Sequence, residues 1–176
     1  MKKIALIFAN GTEEIEALTP VDILRRCDET ICDIISISGL TPKGSHGITI
    51  TADKLIENFN IEDYDGIIIP GGMPGAVNIA NCKPVIDGLK LAFSQNKMVA
   101  SICASPAVVL AENGLINGKK ATCYPLEKFT NSLKQNCVYT GSGVEEDGNL
   151  ITSNGIVSAF EFSIAICKVL GLTPKM

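Results

Sequence analysis

Cys103 ends one apolar run and is followed at once by small residues and a second apolar run, in VASICASPAVVL at 99–110. This order predicts a strand, a sharp turn and a helix, with the cysteine side chain exposed at a nucleophile elbow. Pro106 suits the first turn of that helix. Because a helix N-terminus favours negative charge, we expect the pKa of Cys103 to lie below its usual value of about 8.5. The alternative interpretation is an inert buried cysteine.

A thiol nucleophile usually works with a base, and the chain has one histidine, His46, in a Gly-Ser-His-Gly turn. A cysteine–histidine pair would have to use it, whereas a solvated turn residue is the simpler interpretation. The PGGMPG turn at 70–75 offers further chemistry, because its two glycines allow the backbone to approach a ligand closely. Its N–H groups, with the one that follows Cys103, could hold a developing oxyanion. Gly-Gly after a strand is also an ordinary turn.

The segment NGTEEIEALTPVDILRR at 10–26 supplies another candidate acid or base, Glu16. Its spacing predicts a helix whose core-facing stripe is formed by Ile15, Leu18, Val21 and Leu24. Glu16 would lie at the margin of this stripe, near the helix start. If Glu16 approaches Cys103, the two groups cannot both ionise readily, so one should keep the proton and hydrogen-bond the other. The helix dipole alone is the competing explanation for glutamates at this position.

Short β-branched runs alternate with longer amphipathic runs along the chain. The runs predict strands at 3–9, 33–38, 47–51, 65–70, 98–103, 120–124, 137–140 and 149–153, and helices at 12–27, 82–95, 104–113, 125–134 and 156–170. This alternation indicates one α/β domain over residues 1–176, with a mostly parallel sheet between layers of helices. Since ligands bind at the carboxyl ends of such strands, ANGTEE, PGGMPG and CASP should meet at one edge.

Composition excludes several classes of protein. Of 176 residues, 46% are hydrophobic and 19% charged, and no apolar run reaches the length of a membrane helix. The net charge of −4, with scattered basic residues, argues against nucleic-acid binding. The N-terminal apolar run is too short for a signal peptide, so we expect a cytoplasmic protein. Seven cysteines without C-x-x-C spacing indicate reduced thiols rather than a disulfide framework or zinc site. No dinucleotide fingerprint is present, and we expect neither a cofactor nor a metal.

Taken together, several segments resemble the ThiJ/PfpI superfamily, in the branch of the parkinsonism-associated protein deglycase. They are GTEEIEALTPVDILRR, YDGIIIPGGMPGA, ASICASPAVVLAENGL, ATCYP, LITSNG and AFEFSIAI, and they occur in order along nearly the whole chain. The resemblance implies a flavodoxin-like three-layer α/β sandwich and a homodimer formed through surfaces near the first helix. It also implies a reactive Cys103, a protonated Glu16 in contact with it, and oxyanion donors from the backbone of Gly72 and Ala104. The wider pocket would include Gly71, Tyr124, His46 and Asn154.

Two departures from that family pattern restrict the expected activity. Many relatives place a histidine where this chain has Tyr124, so we expect slow catalysis, with Tyr124 lining the pocket or donating a hydrogen bond. The protease branch has histidine directly after the cysteine, where this chain has Ala104, and this argues against a peptidase. Relatives often carry a basic residue at the turn of His46, which favours a role for His46 beside a pocket anion.

Two functions of different classes fit this resemblance. The first is a cofactor-independent glyoxalase or deglycase, in which Cys103 adds to methylglyoxal-type α-oxoaldehydes or to their thiol and amine adducts and Glu16 moves a proton. The second is a redox-sensing or chaperone-like protein of oxidative stress, in which Cys103 is oxidised to sulfinate and held by Glu16. Both require an accessible thiolate.

Overall fold

The computed structural model describes residues 1–176, which form nine strands and five α-helices. The strands are β1 Lys2–Phe8, β2 Thr30–Ser36, β3 Lys54–Leu55, β4 Gly66–Ile69, β5 Met98–Ile102, β6 Lys120–Ala121, β7 Val138–Tyr139, β8 Val144–Asp147 and β9 Leu150–Ser153. The α-helices are α1 Glu14–Arg25, α2 Gly75–Ala80, α3 Lys83–Ser94, α4 Glu127–Asn136 and α5 Ala159–Leu170. A π-helix covers Pro106–Ala111, and three short 3-10 turns cover Ile56–Asn58, Ile61–Asp63 and Ile156–Ser158.

Seven strands form the central sheet in the order β3-β2-β1-β4-β5-β9-β8, and β6 pairs with β7 in a second, two-stranded sheet. Every pair in the central sheet is parallel except β8 with β9, which is antiparallel. The expected mostly parallel sheet is therefore confirmed. The antiparallel strand β8 lies at an edge, where it needs no crossover helix because a short turn joins it to β9.

Alternate side chains of the strands build two apolar cores, one on each face of the sheet. On β1, Ile4, Leu6 and Phe8 pack with α1 and α5, whereas Ala5 and Ile7 pack on the opposite face with α2, α3 and the π-helix. All five of these side chains are fully buried. Each large one contributes about 1.5–3 kcal/mol to stability by leaving water. None of the helices has the length and apolar character needed to cross a bilayer.

Several sequence predictions about local structure were wrong. Residues 47–51 do not form a strand, and only one isolated bridge, Lys43 with Thr49, lies there. Gly47 has φ +83°, which is incompatible with an extended strand. Of the strand predicted at 120–124, only Lys120–Ala121 forms a strand, β6. The helix predicted at 104–113 is a π-helix, and β3, β8 and α2 were not predicted. The sequence of β8, Val-Glu-Glu-Asp, has one apolar residue and no apolar–polar alternation, so it does not predict a strand; the strand stays partly solvated at the edge of the sheet.

The buried face of α1 differs from the predicted stripe. Ile15 was expected to face the core, but it is 51% exposed, whereas Glu16 is 1% exposed. The buried residues of the helix are Glu14, Glu16, Ala17, Pro20, Val21, Ile23 and Leu24. The first turn of α1 faces the loops at the carboxyl edge of the sheet rather than its apolar surface. Polar partners from those loops, not hydrophobicity, decide which side chains are enclosed there.

Candidate active site

Cys103 follows β5 directly and has φ +66°, a left-handed conformation that is strained for a residue with a side chain. Its N–H donates to the carbonyl of Ser153 at 2.9 Å, and its carbonyl accepts the N–H of Tyr124 at 2.8 Å. The hydroxyl of Ser105 donates to the carbonyl of Pro70 at 2.6 Å. These bonds hold the expected strand–turn–helix bend, and Pro106 begins the helix that follows. The Cys103 side chain is partly buried rather than exposed.

Glu16 projects from the first turn of α1 into the same space. Its carboxylate oxygen Oε2 accepts the N–H of Gly71 at 3.1 Å, and the carboxyl group lies beside the thiol of Cys103. The N–H of Glu16 donates to Oε2 of Glu13 at 2.8 Å, so Glu13 caps the helix. The N–H of Glu13 in turn donates to the carbonyl of Gly71 at 3.1 Å. The start of α1 is therefore bound directly to the loop after β4.

Gly71 and Gly72 bring their backbone against the pair because they lack side chains. A Cβ placed on Gly71 would lie 2.5 Å from Oε2 of Glu16 and 2.6 Å from Cβ of Cys103. Gly72 has φ +88°, and a Cβ there would collide with the backbone of 11–13. The N–H groups of Gly72 and Ala104 lie near the sulfur of Cys103 and act to lower the pKa of its thiol. The predicted oxyanion donors thus surround the sulfur atom.

The protonation of Glu16 and Cys103 is coupled. Burial raises the pKa of Glu16 to about 7, and the charge of Glu13 adds to this, while hydrogen bonds from Cys103 and Gly71 act in the opposite direction. For the thiol, burial and the ionised Glu16 raise the pKa to about 12, against the N–H groups of Gly72 and Ala104. While Glu16 is ionised, the pKa of Cys103 is therefore raised, whereas the sequence pattern predicted that it would be lowered. The pair as a whole releases its first proton near neutral pH.

His46 belongs to a neighbouring cluster and does not contact Cys103. Its ring is 70% exposed, and Nδ1 lies 3.0 Å from Oε2 of Glu14 and 3.6 Å from Oε1 of Glu13. Oε1 of Glu14 also accepts the N–H groups of His46 and Ile48, at 2.9 and 3.3 Å. Hydrogen bonding to Glu14 raises the pKa of His46. Ligand atoms of the two glutamates and the histidine lie within 4.8 Å of one another. Because Glu14 is saturated by loop donors and the helix N-terminus disfavours cations, we assign this cluster to loop anchoring rather than to a metal.

Tyr124 and Asn154 lie around the opposite side of the pair. Tyr124 is 46% exposed. A Cβ on Gly155 would lie 3.4 Å from Cδ2 of Tyr124 and 3.7 Å from Oε1 of Glu16, so the tyrosine ring and the carboxyl both lie next to that glycine. The side chain of Asn154 instead accepts a hydrogen bond from Ser158 at 2.9 Å. Asn154 therefore supports the loop that follows β9.

Sequence reasoning missed three residues that shape the site. Glu13 is the helix cap, Glu14 anchors the His46 turn, and Gly155 leaves space between Tyr124 and Glu16. Glu13 precedes Glu16 by three residues, which is the cap-to-N3 spacing and could have indicated its role. No local signal indicates Glu14, because its partners are more than thirty residues away.

The fold and site together define a flavodoxin-like α/β protein with a cysteine at a strained strand-to-helix bend. The sequence matches the DJ-1/PfpI family over residues 2–169, and the chain belongs to that family. It is 31% identical to a deglycase of Pyrococcus horikoshii over 96% of this chain and 99% of the relative. It is 32% identical to the Parkinson disease protein 7 homolog of Danio rerio, over 96% and 89% of the two chains.

Other relatives extend the comparison to longer proteins and to solved structures. The DJ-1 homolog B of Arabidopsis thaliana is 36% identical over 96% of this chain, but this chain spans only 38% of that protein, and 43% of homolog A. Among solved structures, oxidized DJ-1 of Toxoplasma gondii superposes with a TM-score of 0.90 and 37% identity, covering 97% of this chain and 91% of the other. Drosophila melanogaster DJ-1beta superposes with a TM-score of 0.88 and 33% identity, covering 95% and 89%.

Proposed function

We propose that the protein is a cofactor-independent glyoxalase or deglycase that acts on methylglyoxal-type α-oxoaldehydes or their thiol and amine adducts. The observation that carries this proposal is the approach of the Glu16 carboxyl to the Cys103 thiol beside Gly71, with the backbone N–H groups of Gly71, Gly72 and Ala104 next to them. A nucleophile and a proton carrier are then adjacent. The relative from Pyrococcus horikoshii that carries the name deglycase supports the same chemistry.

The reactive form in this proposal is a Cys103 thiolate beside a protonated Glu16. Two N–H donors, of Gly72 and Ala104, face the sulfur, whereas one N–H donor, of Gly71, faces the carboxyl. Donors stabilise the charged form of the group they face, so these two oppose the burial and the Glu16 charge that raise the pKa of the thiol, and the thiolate forms as the minor of the two tautomers. The elbow also places the sulfur at the positive end of the following helix. The two tautomers exchange one proton along their shared hydrogen bond.

Addition and proton transfer follow from this arrangement. The thiolate forms a C–S bond with the aldehyde carbon, and the carbonyl oxygen takes the proton of Glu16, which yields a hemithioacetal and a carboxylate. The Glu16 carboxylate then removes the hydrogen from that carbon and returns it to the adjacent carbon, while the hydroxyl proton on the first carbon passes to the oxygen of the second, so that a 2-hydroxy thioester forms. Water hydrolyses the thioester, releases the 2-hydroxy acid and restores the thiol. The net change for methylglyoxal is addition of one water to give lactate.

The decisive measurement is lactate formation from methylglyoxal by purified variants. Cys103→Ala should abolish turnover, and Glu16→Gln should reduce it by about 10²-fold or more because the proton carrier is lost. Cys82→Ala is the matched control, since Cys82 is also a partly buried free thiol but precedes α3, away from the elbow. If Cys103→Ala turns over methylglyoxal as the wild type does, the proposal is wrong.

The competing proposal is a redox sensor in which Cys103 is oxidised to sulfinate. Partial exposure of this thiol and the oxidized state named for the Toxoplasma gondii relative favour it. This proposal predicts that limiting peroxide gives a product about 32 Da heavier, with both oxygen atoms on Cys103. Oxidation distributed evenly over all thiols would exclude this sensor, and so would wild-type stress protection by a Cys103→Ala protein.

We further propose that the protein is a homodimer formed through the outer face of α1. Ile15, Ile48, Ile156, Val157, Phe160 and Met176 are all at least half exposed. Ile15, Ile48, Phe160 and Met176 border one groove with the outer side of α1. A groove of this apolar character, with Asp22 and Arg26 at its rim, suits a self-complementary contact about a twofold axis. The second copy would also approach the His46 turn, because Glu14, Ile15 and Ile48 border both regions.

A further inference from the structure

Cys27 and Cys167 bring two thiols together at the end of the molecule opposite the elbow. Their sulfur atoms are 3.9 Å apart although the residues are separated by 140 positions. Cys27 lies just after α1, and Cys167 lies in the last turn of α5. They are 6% and 1% exposed. Since α1 is about 18 Å long, this pair is well separated from Glu16 and Cys103, and the proposed catalysis does not use it.

The C-terminal tail, defined here as residues 171–176, covers this pair. Pro174 forms an isolated bridge with Cys27, and the N–H of Lys175 donates to the carbonyl of Arg26 at 3.1 Å. The ammonium of Lys175 lies 2.6 Å from Asp28, and both side chains are more than 70% exposed. Leu172 at the start of the tail is held more firmly, because its N–H donates to the carbonyl of Cys167 at 2.8 Å and its side chain packs against the core. The contacts of Pro174 and Lys175 are few and exposed to solvent, and such contacts open locally without global unfolding. Lifting the tail would uncover Cys27, the more exposed of the two thiols.

We propose that Cys27 and Cys167 form a site that a small hydroperoxide oxidises to a reversible intramolecular disulfide. This disulfide would join the end of α1 to α5. In the first step a Cys27 thiolate attacks the outer oxygen of the peroxide, the O–O bond breaks, and sulfenic acid and water form. In the second step Cys167 attacks the Cys27 sulfur, an S–S bond forms, and hydroxide leaves as water. Two thiols and one hydrogen peroxide therefore give one disulfide and two waters.

Geometry and burial set the rate and the order of events. The sulfur atoms must approach from 3.9 Å to the bonding distance of about 2.05 Å, which requires the side chains to rotate within the cluster. Burial raises the pKa of Cys167 to about 12, so few molecules hold its thiolate at neutral pH. Oxidation should be slow and should follow the opening of the tail. The crosslink closes a long loop and should raise the unfolding temperature.

The test is intact-protein mass spectrometry after treatment of the folded protein with hydrogen peroxide. A Cys103→Ser background removes the elbow thiol, and the product should be about 2 Da lighter, with two fewer cysteines alkylated after denaturation. Dithiothreitol should restore the original mass. The light product should vanish in Cys27→Ala and in Cys167→Ala. It should persist in Cys32→Ser, the matched control, because Cys32 is a buried cysteine of the same apolar cluster.

Lys175→Ala provides a second measurement that does not alter the buried thiols. Loss of its exposed ion pair should increase the rate of disulfide formation by up to about fivefold, without changing the product. The proposal is overturned if the light product does not form, if it survives in Cys27→Ala, or if it appears only in denaturant. An unchanged rate in Lys175→Ala would show that the tail does not control access. If Cys103→Ala still formed lactate, the proposed function would be wrong, but the proposal for Cys27 and Cys167 would stand.

Discussion

The carboxyl group of Glu16 and the thiol of Cys103 lie side by side in a space that exists because residue 71 has no Cβ. The two side chains come from α1 and from the end of β5, almost ninety positions apart in sequence. The loop after β4 lies between them and supplies the N–H that binds Glu16. A charge on either group raises the pKa of the other, so the two act as one unit that holds or releases a proton.

Alkylation of Cys103 should report the ionisation of this unit. In the wild type, we expect the rate of reaction with iodoacetamide to rise with pH through an inflection near 7, where the pair loses its first proton. Glu16→Gln should move the inflection to higher pH. The buried thiol then has no carboxylic acid beside it to stabilise the thiolate by a hydrogen bond. Cys82 in the same protein is the internal control. The interpretation fails if both proteins show the same inflection in the range of an ordinary thiol.

Gly71→Ala should separate the pair without altering any catalytic side chain. The added Cβ would lie 2.5 Å from Oε2 of Glu16 and 2.6 Å from Cβ of Cys103, so one of them must move. We expect lactate formation to fall by at least about tenfold and stability by about 1–3 kcal/mol. Gly143→Ala is the control, because its Cβ would meet the rotatable hydroxyl of Ser158 at 3.1 Å. Wild-type activity in Gly71→Ala, measured with intact folding by circular dichroism, would argue against close packing of the pair.

Glu14→Gln should show how strongly the His46 turn is anchored to α1. Hydrogen bonds from His46 and Ile48 outweigh burial and lower the pKa of Glu14 to about 2. The stabilisation from its charge is therefore present above the unfolded pKa of about 4.5 and is lost as pH falls toward 2. We expect Glu14→Gln to cost about 3 kcal/mol at pH 7 and progressively less in acid, measured by urea unfolding.

The matched control for Glu14 is Glu161→Gln, which alters an exposed glutamate in the first turn of α5. Its effect on the free energy of unfolding should stay below about 0.5 kcal/mol at every pH. Equal losses in the two variants, or a Glu14→Gln loss that grows in acid, would contradict the anchoring role.

Phe160→Asp tests the proposed dimer. Phe160 is 51% exposed beside the apolar groove of α1, and a carboxylate there would be desolvated without a partner in a dimer. We expect the wild type to sediment as a dimer and the variant as a folded monomer in analytical ultracentrifugation. Val138→Asp alters a 54% exposed apolar residue on β7, outside the groove, and should remain dimeric. A monomeric wild type would refute this assembly.

Much of the fold and part of the site could be predicted from the sequence, because those features depend on local pattern. Buried runs such as Ile-Ile-Ile in β4 indicate strands covered on both faces, and their alternation with helices indicates a mostly parallel sheet. The bend at Cys103 follows from an apolar run that stops before small residues and a proline. Strands with weak patterns, such as β3 and β8, escape this reasoning because a two-residue pairing or a polar edge leaves little periodicity.

The tertiary structure decided the properties that depend on distance between remote groups. It enclosed Glu16 rather than Ile15, paired His46 with Glu14, and placed the Cys27 sulfur against that of Cys167. It also reversed the expected pKa of Cys103, since a nearby carboxylate and burial outweigh a helix dipole whose effect is at most about 2 kcal/mol. Sequence pattern determines which elements form and which faces are apolar. Charge, burial and contact act through space, over a few ångströms that only the packed chain defines.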